Sequence, residues 1–322
     1  AMDTKKKILV TGGAGFIGSH VCRRLIDMGE NVVCVDNLNT YYSPLRKVEN
    51  IRPLSMHPNF SFHVLDIQDY DHLKEIFQKE NIGKVVHLAA RAGVRPSIEQ
   101  PLRYRDTNVT GTINLLALSA EHGVENFIFA SSSSVYGKNH KVPFSEDDHV
   151  DNPVSPYAAT KKACELFCYT YSHLTQMNIT CLRYFTVYGP AGRPDMAPYL
   201  FTDKIYKGEE ITVYGPGMER DFTYIDDIVD GTIAALNKQL KFEIVNLGNS
   251  HPVDLDYFIT VIEGLVGKKA KMIRKPPLPG DVMRTYADTT KAWKFFGYQP
   301  KISIEQGMEN FVRWYMDHVV KK

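Results

Sequence analysis

Two rhythms of apolar residues alternate along the first half of the chain. One is a short unbroken apolar run, the pattern of a strand buried on both faces. It occurs at Lys7–Thr11, Asn31–Asp36, Phe60–Leu65, Lys84–Leu88, Phe127–Ser131 and Ile179–Tyr184. The other is the three- and four-residue spacing of an amphipathic helix. It occurs at Phe16–Met28, which stops before Gly29, and at Tyr70–Glu80, with apolar Leu73, Ile76 and Phe77. It recurs at Asn108–His122, which ends at Gly123, and at Pro156–Tyr171. Strands alternating with helices predict an α/β fold, a doubly wound parallel sheet with helices on both faces.

The rhythm breaks after Gly189-Pro190. Pro190, Gly192, Pro194, Pro198, Gly215, Pro216 and Gly217 crowd the next stretch, and Pro276-Pro277-Leu278-Pro279-Gly280 reads as a rigid loop. Shorter elements follow at Ile211–Tyr214, Ile225–Ala235, Ile244–Leu247 and Asp254–Val266. We expect a first domain over 1–189 and a smaller α/β C-terminal substrate domain over 190–322, interleaved with the first near 225–250. There are no repeats and no low-complexity tract.

Composition narrows the class. The chain has 322 residues, 43% hydrophobic and 23% charged, close to globular averages. Lys and Arg number 38 against 37 Asp and Glu. That balance argues against a nucleic-acid or polyanion binder, while a few placed arginines still suffice for a small anion. No apolar run reaches the ~18 residues of a membrane span. Ala1-Met2-Asp3-Thr4-Lys5-Lys6-Lys7 passes straight into a strand-like run, so no signal peptide is expected and the protein reads as cytoplasmic. Ala1 ahead of Met2 reads as a remnant of expression. Cys22, Cys34, Cys164, Cys168 and Cys181 contain no Cys-x-x-Cys pair and read as buried reduced thiols, with Cys164 and Cys168 one turn apart on a core face. The histidines lack metal spacing, so no metal is expected. His87, ending a strand, and His20, opening a helix, read as structural.

The chemistry begins between the first strand and first helix. Thr11-Gly12-Gly13-Ala14-Gly15-Phe16-Ile17-Gly18 has the G-x-x-G-x-x-G spacing of a Rossmann-type dinucleotide loop. Gly12 lets the chain turn, Gly15 lets backbone approach a pyrophosphate, and Gly18 lets helix pack on strand. The helix N-terminus offers N–H groups to the phosphates. Asp36, ending the second strand, would accept from both adenosine ribose hydroxyls and repel a 2′-phosphate, which selects NAD. Asp66-Ile67, after the third strand, sits where an adenine contact is expected.

Tyr157-Ala158-Ala159-Thr160-Lys161 opens the long helix after the fifth strand. Residues four apart share a helix face, so Tyr157 and Lys161 point to one side. A free tyrosine hydroxyl titrates near 10, so a tyrosine base at neutral pH needs about 4 kcal/mol of help. The Lys161 ammonium and a nicotinamide cation would supply it. Ser131-Ser132-Ser133-Ser134-Val135-Tyr136-Gly137 follows the fifth strand, where hydroxyls face the ligand crevice of such sheets.

These residues carry a resemblance that runs nearly end to end. The chain resembles extended short-chain dehydrogenase/reductases of the nucleotide-sugar epimerase group. The shared motifs are the glycine loop, Asp66-Ile67, His87-Leu88-Ala89-Ala90, Asn108-Val109-Thr110-Gly111-Thr112, the serine run, Tyr157 with Lys161, and Arg220-Asp221-Phe222-Thr223-Tyr224-Ile225-Asp226-Asp227. The resemblance implies Ser132, Tyr157 and Lys161 as the catalytic set and a structural role for Asn108 behind them. It implies NAD contacts from Gly12, Gly15, Phe16, Ile17, Gly18, Asp36, Asn37, Asp66, Ile67, Leu88, Ala89, Ala90, Asn108, Tyr157, Lys161 and Tyr184. It also implies a homodimer joined by two long helices in a four-helix bundle, and no nucleic-acid or membrane partner.

The resemblance also separates reactions. Related dehydratases carry Asp-Glu where Ser133-Ser134 stand, and related decarboxylases carry Glu at the Ser134 position. Without those acids the expected reaction is epimerisation at sugar C4 through a 4-ketone. Tyr184-Phe185-Thr186-Val187-Tyr188-Gly189-Pro190, Gly192-Arg193-Pro194-Asp195-Met196-Ala197 and Arg91-Ala92-Gly93-Val94-Arg95 are similar to the forms in UDP-glucuronate 4-epimerases. By that similarity Arg193 pairs with the C6 carboxylate, supported by Ser133, Ser134 and Thr186, with Arg95 nearby. A guanidinium fork suits a carboxylate. Ala191 stands where such enzymes often have Trp. Leu278 stands where UDP-galactose epimerases place a diphosphate arginine, so phosphate charge falls on Arg220 and Arg284. Tyr214 and Asp281 are uridine or ribose candidates. The rivals are a UDP-galactose or UDP-N-acetylhexosamine 4-epimerase and an NAD-binding scaffold with a dead site. A neutral C6 group is expected to leave Arg193 unpaired, at about 1–3 kcal/mol.

Overall fold

The computed structural model describes residues 5–322, so Ala1 and Met2 lie outside the described residues. In chain order the elements are β1 Lys7–Thr11, α1 Phe16–Asp27, β2 Val32–Asp36, α2 Pro44–Ile51, β3 Phe60–Val64, α3 Tyr70–Lys79 and β4 Ile82–His87. Then come α4 Val94–Glu99, α5 Pro101–Tyr104, a π-helical segment Arg105–Thr110, α6 Gly111–Glu121, β5 Asn126–Ser132, α7 Pro156–Leu174 and β6 Asn178–Tyr184. The rest comprises β7 Thr186–Tyr188, α8 Ala197–Lys207, β8 Glu210–Tyr214, β9 Glu219–Arg220, β10 Phe222–Tyr224, α9 Ile225–Leu236 and β11 Phe242–Leu247. It ends with β12 Val253–Asp254, α10 Leu255–Val266, β13 Lys271–Lys275, β14 Arg284–Thr285, α11 Thr290–Phe296 and α12 Ile304–Tyr315.

The chain forms two compact units. Among the described residues the first is 5–137, 149–183 and 229–245; the second is 138–148, 184–228 and 246–322. The chain passes from the first unit to the second at 183/184 and returns to the first over 229–245. The segment 138–148 was not legible. It is tied into the second unit by long-range backbone bonds: Phe144 N–H donates to Tyr286 O at 2.8 Å, and Asp288 N–H donates to Phe144 O at 2.9 Å.

The first unit is built on a seven-stranded sheet of order β11-β6-β5-β4-β1-β2-β3. The pairs β1–β2, β1–β4, β2–β3 and β4–β5 are parallel. Strand order therefore reverses between β1 and β4, the switch at which the carboxyl ends of the strands open a crevice. The unbroken apolar runs are explained by burial on both faces: all five residues of β2 are buried. Leu73, Ile76 and Phe77 of α3, Leu115, Leu116 and Leu118 of α6, and Cys164 and Cys168 of α7 pack with strand residues Leu9, Val33, Val85, Phe127 and Phe129. All five cysteines are buried free thiols.

The helix read over Asn108–His122 is present, but its first residues lie in a wider π-helical turn that runs into it without a break. α4 and α5 precede a π-helical turn, and regular α6 starts only at Gly111. The wide turn lets Asn108 spend its side chain on other backbone, as described below, and π turns recur at such sites. α2 escaped the periodicity because it buries only Lys47 and Ile51.

In the second unit β7 pairs with β10, β8 with β13, and β12, β9 and β14 form a three-stranded sheet. Phe222 stacks on Phe258 at 4.7 Å. Asp221 is a buried hub. Its carboxylate accepts from Thr223 Oγ1 at 2.9 Å and from the N–H groups of Asn249, Ser250 and Ala287 at 2.8–3.0 Å. This explains the Asp of the Arg-Asp-Phe-Thr motif as scaffold. Among the described residues no helix is long and apolar enough to cross a membrane.

Candidate active site

The glycine loop is fixed by crowding. Gly12 has φ +70°, and a Cβ there would lie 2.8 Å from Ala89 N. A Cβ on Gly18 would lie 2.1 Å from Gly12 O. At Gly15 the nearest obstacle is Gly12 O at 3.2 Å, and this N-cap provides no side-chain hydrogen bond to α1. The first turn of α1, including Phe16, Ile17 and Gly18, thus presents N–H groups without a protein side-chain cap, as an anion site requires.

Asp36 ends β2 and is buried. Its Oδ2 accepts from Ala14 N–H at 3.1 Å and its Oδ1 from Leu38 N–H at 2.8 Å. Leu38 takes a left-handed φ of 52° beside it. A carboxylate offers about four acceptor positions, so capacity remains for ribose hydroxyls. Asn37 Nδ2 donates to Asp66 Oδ2 at 3.2 Å, and Gln68 N–H donates to Asp66 Oδ1 at 2.9 Å, so these two candidates form one polar edge. The Ile67 side chain is buried against Gly111 in the core, which leaves its backbone as the part able to reach a ligand. Leu88, Ala89 and Ala90 are half-buried beyond β4, and Tyr184 is buried at the end of β6. The glycine loop, the Asp36 carboxylate and the uncapped helix start fit a bound dinucleotide.

α7 carries the candidate catalytic pair, Tyr157 and Lys161. Ser155 caps it by accepting from Ala158 N–H at 3.1 Å, and Pro156 fills the first helical position, which places Tyr157 in the first turn. Tyr157 N–H donates to Ser97 Oγ at 3.0 Å. Lys161 is buried; its Nζ donates to Ala130 O at 2.8 Å and lies 5.8 Å from the Tyr157 ring centroid. Ser132 Oγ accepts from Ser134 N–H at 3.1 Å and from Ser134 Oγ at 2.9 Å. Both its acceptor positions are filled, so its own proton is free to be donated outward. Ser134, read as a substrate contact, is therefore engaged in orienting Ser132; Ser133 is half-buried beside them.

Behind these groups lies a network the sequence did not reveal. Arg183 forms a fork with Glu165: Nε to Oε2 at 2.9 Å and Nη2 to Oε1 at 2.8 Å. Both side chains are 1% exposed. Ser131 Oγ donates to Glu165 Oε2 at 2.6 Å, and Arg183 Nη1 donates to Tyr136 OH at 3.1 Å. Glu165 is one turn beyond Lys161 and Ser131 precedes Ser132, so the pair fixes α7 against the end of β5. A glutamate at i+4 from the lysine was the available signal; its partner, 18 residues away on another strand, was not.

In the second unit Thr186 opens β7 and Tyr214 ends β8, both half-buried. Arg220 Nη1 donates to Glu219 O at 2.8 Å and Met283 O at 3.2 Å. Burial lowers its pKa, opposed by the charge of Asp281. Asp281 Oδ2 accepts from Leu278 N–H at 2.8 Å. Arg284 pairs with Glu219, and its guanidinium lies 5.6 Å from the Tyr286 ring centroid. Arg220 and Arg284 thus sit on neighbouring strands β9 and β14.

Two candidate arginines face carboxylates of the protein itself. Arg95 has a side chain 91% exposed, with Glu99 as a weak partner at 3.8 Å. Arg193 is already forked onto Asp195, Nε to Oδ1 at 3.0 Å and Nη2 to Oδ2 at 2.6 Å. A neutral sugar would not strand this guanidinium, because the protein supplies its own carboxylate. Ala191, two residues before it, holds φ +68°, a strained setting for a non-glycine residue. Among the described residues no three His, Cys, Asp or Glu side chains group to hold a metal ion.

A parallel sheet with this switch, a glycine loop at β1 and a tyrosine–lysine helix at β5 define a Rossmann-type dinucleotide enzyme. Residues 8–248 match the NAD dependent epimerase/dehydratase family, and the chain belongs to that family. It is 48% identical over 313 residues to a UDP-glucuronate 4-epimerase of Thermodesulfobacterium geofontis, covering 97% of this chain and 96% of that one. It is similar to the crystal structure of UDP-glucuronic acid 4-epimerase from Bacillus cereus in complex with UDP-glucuronic acid and NAD. That match has a TM-score of 0.90 and 36% identity, covering 97% and 99% of the two chains. It is also similar to UDP-glucose 4-epimerase from Thermotoga maritima with UDP-glucose, with a TM-score of 0.87, 34% identity and the same coverage.

Two predictions follow from the buried groups. Glu165→Gln leaves the Arg183 charge buried without its counter-charge and should cost about 3–5 kcal/mol in denaturant unfolding. Burial first, then the nearby Lys161 charge, holds His87 down at about 3. The unfolded state therefore binds this proton first, and stability is lost as pH falls from about 6.5 toward 3. Between pH 7 and 5 this single group should cost about 2 kcal/mol, a component absent from unfolding curves of His87→Gln.

Proposed function

We propose that this chain interconverts UDP-glucuronate and UDP-galacturonate by epimerisation at sugar C4. The observation that carries the reading is the acid–base set: Tyr157 and Lys161 on one helix, Ser132 with its proton free to be donated, and hydroxyls at Ser133 and Ser134 where elimination would need carboxylates. When bound, NAD supplies a reversible acceptor for the C4 hydride, so no net redox change results. Tyr157 takes the O4 proton as the C4–H bond breaks, leaving a 4-ketone, and returns it to O4 when hydrogen comes back to the opposite face. Lys161, tied to Ala130 O, keeps positive charge beside the tyrosine ring. Ser132 donates to O4 while the proton is shared.

The first unit is the cofactor-binding part and the second the nucleotide-sugar part. Within the second, Arg193 with Thr186 is assigned to the C6 carboxylate, Arg220 and Arg284 to the diphosphate, and Tyr214 and Asp281 to the uridine end. The substrate carboxylate would take the place that Asp195 holds on Arg193. That same pairing supports a second reading, a UDP-glucose/galactose or UDP-N-acetylhexosamine 4-epimerase, since a neutral C6 leaves Arg193 satisfied by Asp195. The five free cysteines support a reducing, cytoplasmic setting.

We also infer a homodimer. Ile98 and Leu102 of the α4–α5 region and Leu166, Phe167 and Tyr169 of α7 are exposed apolar side chains on helices that pack together. Such a patch is what a four-helix interface covers. Sedimentation should give twice the chain mass, and Leu166→Asp should shift it to monomer.

The deciding assay is proton NMR of the protein with UDP-glucuronate and catalytic NAD⁺. The H4 signal of UDP-galacturonate should grow to a stable mixture without net reduction of NAD. Arg193→Ala should lower kcat/KM for UDP-glucuronate about 30–150-fold, the loss of a charge-assisted fork worth about 2–3 kcal/mol. Turnover of UDP-glucose with none of UDP-glucuronate would establish the second reading instead.

A further inference from the structure

His87 ends β4 inside the core, between Phe127 and Phe129 at 6.1 and 5.9 Å. A packed histidine needs no further role, but this one is wired at both ring nitrogens. Nδ1 lies 2.6 Å from Thr11 Oγ1 and Nε2 lies 2.8 Å from Thr112 Oγ1.

The direction of every proton in this wire follows from its ends. Thr112 Oγ1 lies 2.6 Å from Asn108 O, which is only an acceptor, so the Thr112 proton is spent there. Its lone pair then faces His87 Nε2, which must carry hydrogen. The ring is neutral in the core, so Nδ1 is bare and takes the Thr11 proton. Thr11 Oγ1 is left to accept, and two backbone N–H groups point at it: Leu88 at 3.1 Å and Ala89 at 3.2 Å. Asn108 continues the wire. Its Oδ1 accepts from Arg91 N–H at 2.8 Å, and its Nδ2 donates to Arg91 O at 3.1 Å and to Thr160 Oγ1 at 3.1 Å. Thr160 Oγ1 donates to Tyr157 O at 2.7 Å.

We propose that Thr11, His87 and Thr112 are positioning residues: a one-way hydrogen-bond chain that clamps the 88–91 segment at both ends and ties it to the first turn of the Tyr157 helix. The 88–91 segment presses on the glycine loop, since Gly12 has no room for a Cβ against Ala89. The clamp therefore sets the cofactor-side loop and the general base together. The inference rests on the family's NAD chemistry and not on which sugar is turned over.

Thr112→Val tests it, because the valine keeps the volume and removes the hydroxyl through which both hydrogen bonds pass. Two quantities are measured on folded protein: the rate at which bound NAD exchanges with labelled NAD, and kcat with KM for the UDP-sugar that is turned over. NAD exchange should quicken, and kcat should fall, each by about tenfold or more with KM for the sugar little changed, as expected for misplaced rather than missing groups. Thr112→Ser should restore both. A merely structural role would lower the melting temperature and leave NAD exchange and kcat at wild-type values, which would overturn the proposal. So would a fall in kcat with unchanged NAD exchange. NAD exchange is read without any sugar, so a wrong substrate assignment leaves this test intact. Should Thr112→Val fail to fold, Thr11→Val against Thr11→Ser reads the chain from its other end with the same outcomes.

Discussion

At the switch between β1 and β4 two stretches of backbone meet with no side chain between them. A single Cβ at Gly12 would stand 2.8 Å from Ala89 N and 2.9 Å from Ala89 Cα. This approach brings the start of α1, the end of β4 and the segment beyond it into one narrow region. The parallel sheet makes it possible by delivering β1, β2, β4 and β5 with their carboxyl ends on one side. Asp36, the 88–91 segment and Ser132 follow from that alignment. The candidate catalytic groups need little machinery of their own because the sheet has already gathered the strand ends.

Holding those ends is the work of buried polar groups, which is a costly way to build a core. Burying a fork such as Arg183–Glu165 gains little stability over an apolar pair of similar volume. It does provide direction. Glu165 holds Ser131 and Arg183 together, and the His87 chain joins Thr11 to Asn108. An apolar core tolerates sliding between neighbours more readily than a fully satisfied hydrogen-bond network does. The groups behind Tyr157, Lys161 and Ser132 are therefore polar where an apolar core would have sufficed for folding.

Arg193 shows a different economy. Its guanidinium is held by Asp195 on the same short loop, beside a left-handed Ala191. The loop carries its own counter-charge, so the arginine is kept in a defined orientation without a ligand. Preference for an anionic sugar would then rest on exchange of one carboxylate for another and not on rescue of an unpaired cation.

Local pattern alone determined much of this protein. The strand and helix rhythm, the glycine spacing, the Ser155-Pro156 cap and the one-turn separation of Tyr157 and Lys161 are properties of contiguous residues, and short-range sterics and periodicity encode them directly. Tertiary structure decided which polar groups meet. His87 finds Thr11 and Thr112, Glu165 finds Arg183, and segment 138–148 joins the second unit through pairings spanning up to roughly 140 residues. It also sent Arg95 into solvent and turned Ile67 into the core, although both lie in matching motifs. Periodicity tells which face of an element is buried. It does not tell which distant donor waits there, because that depends on how the elements are packed.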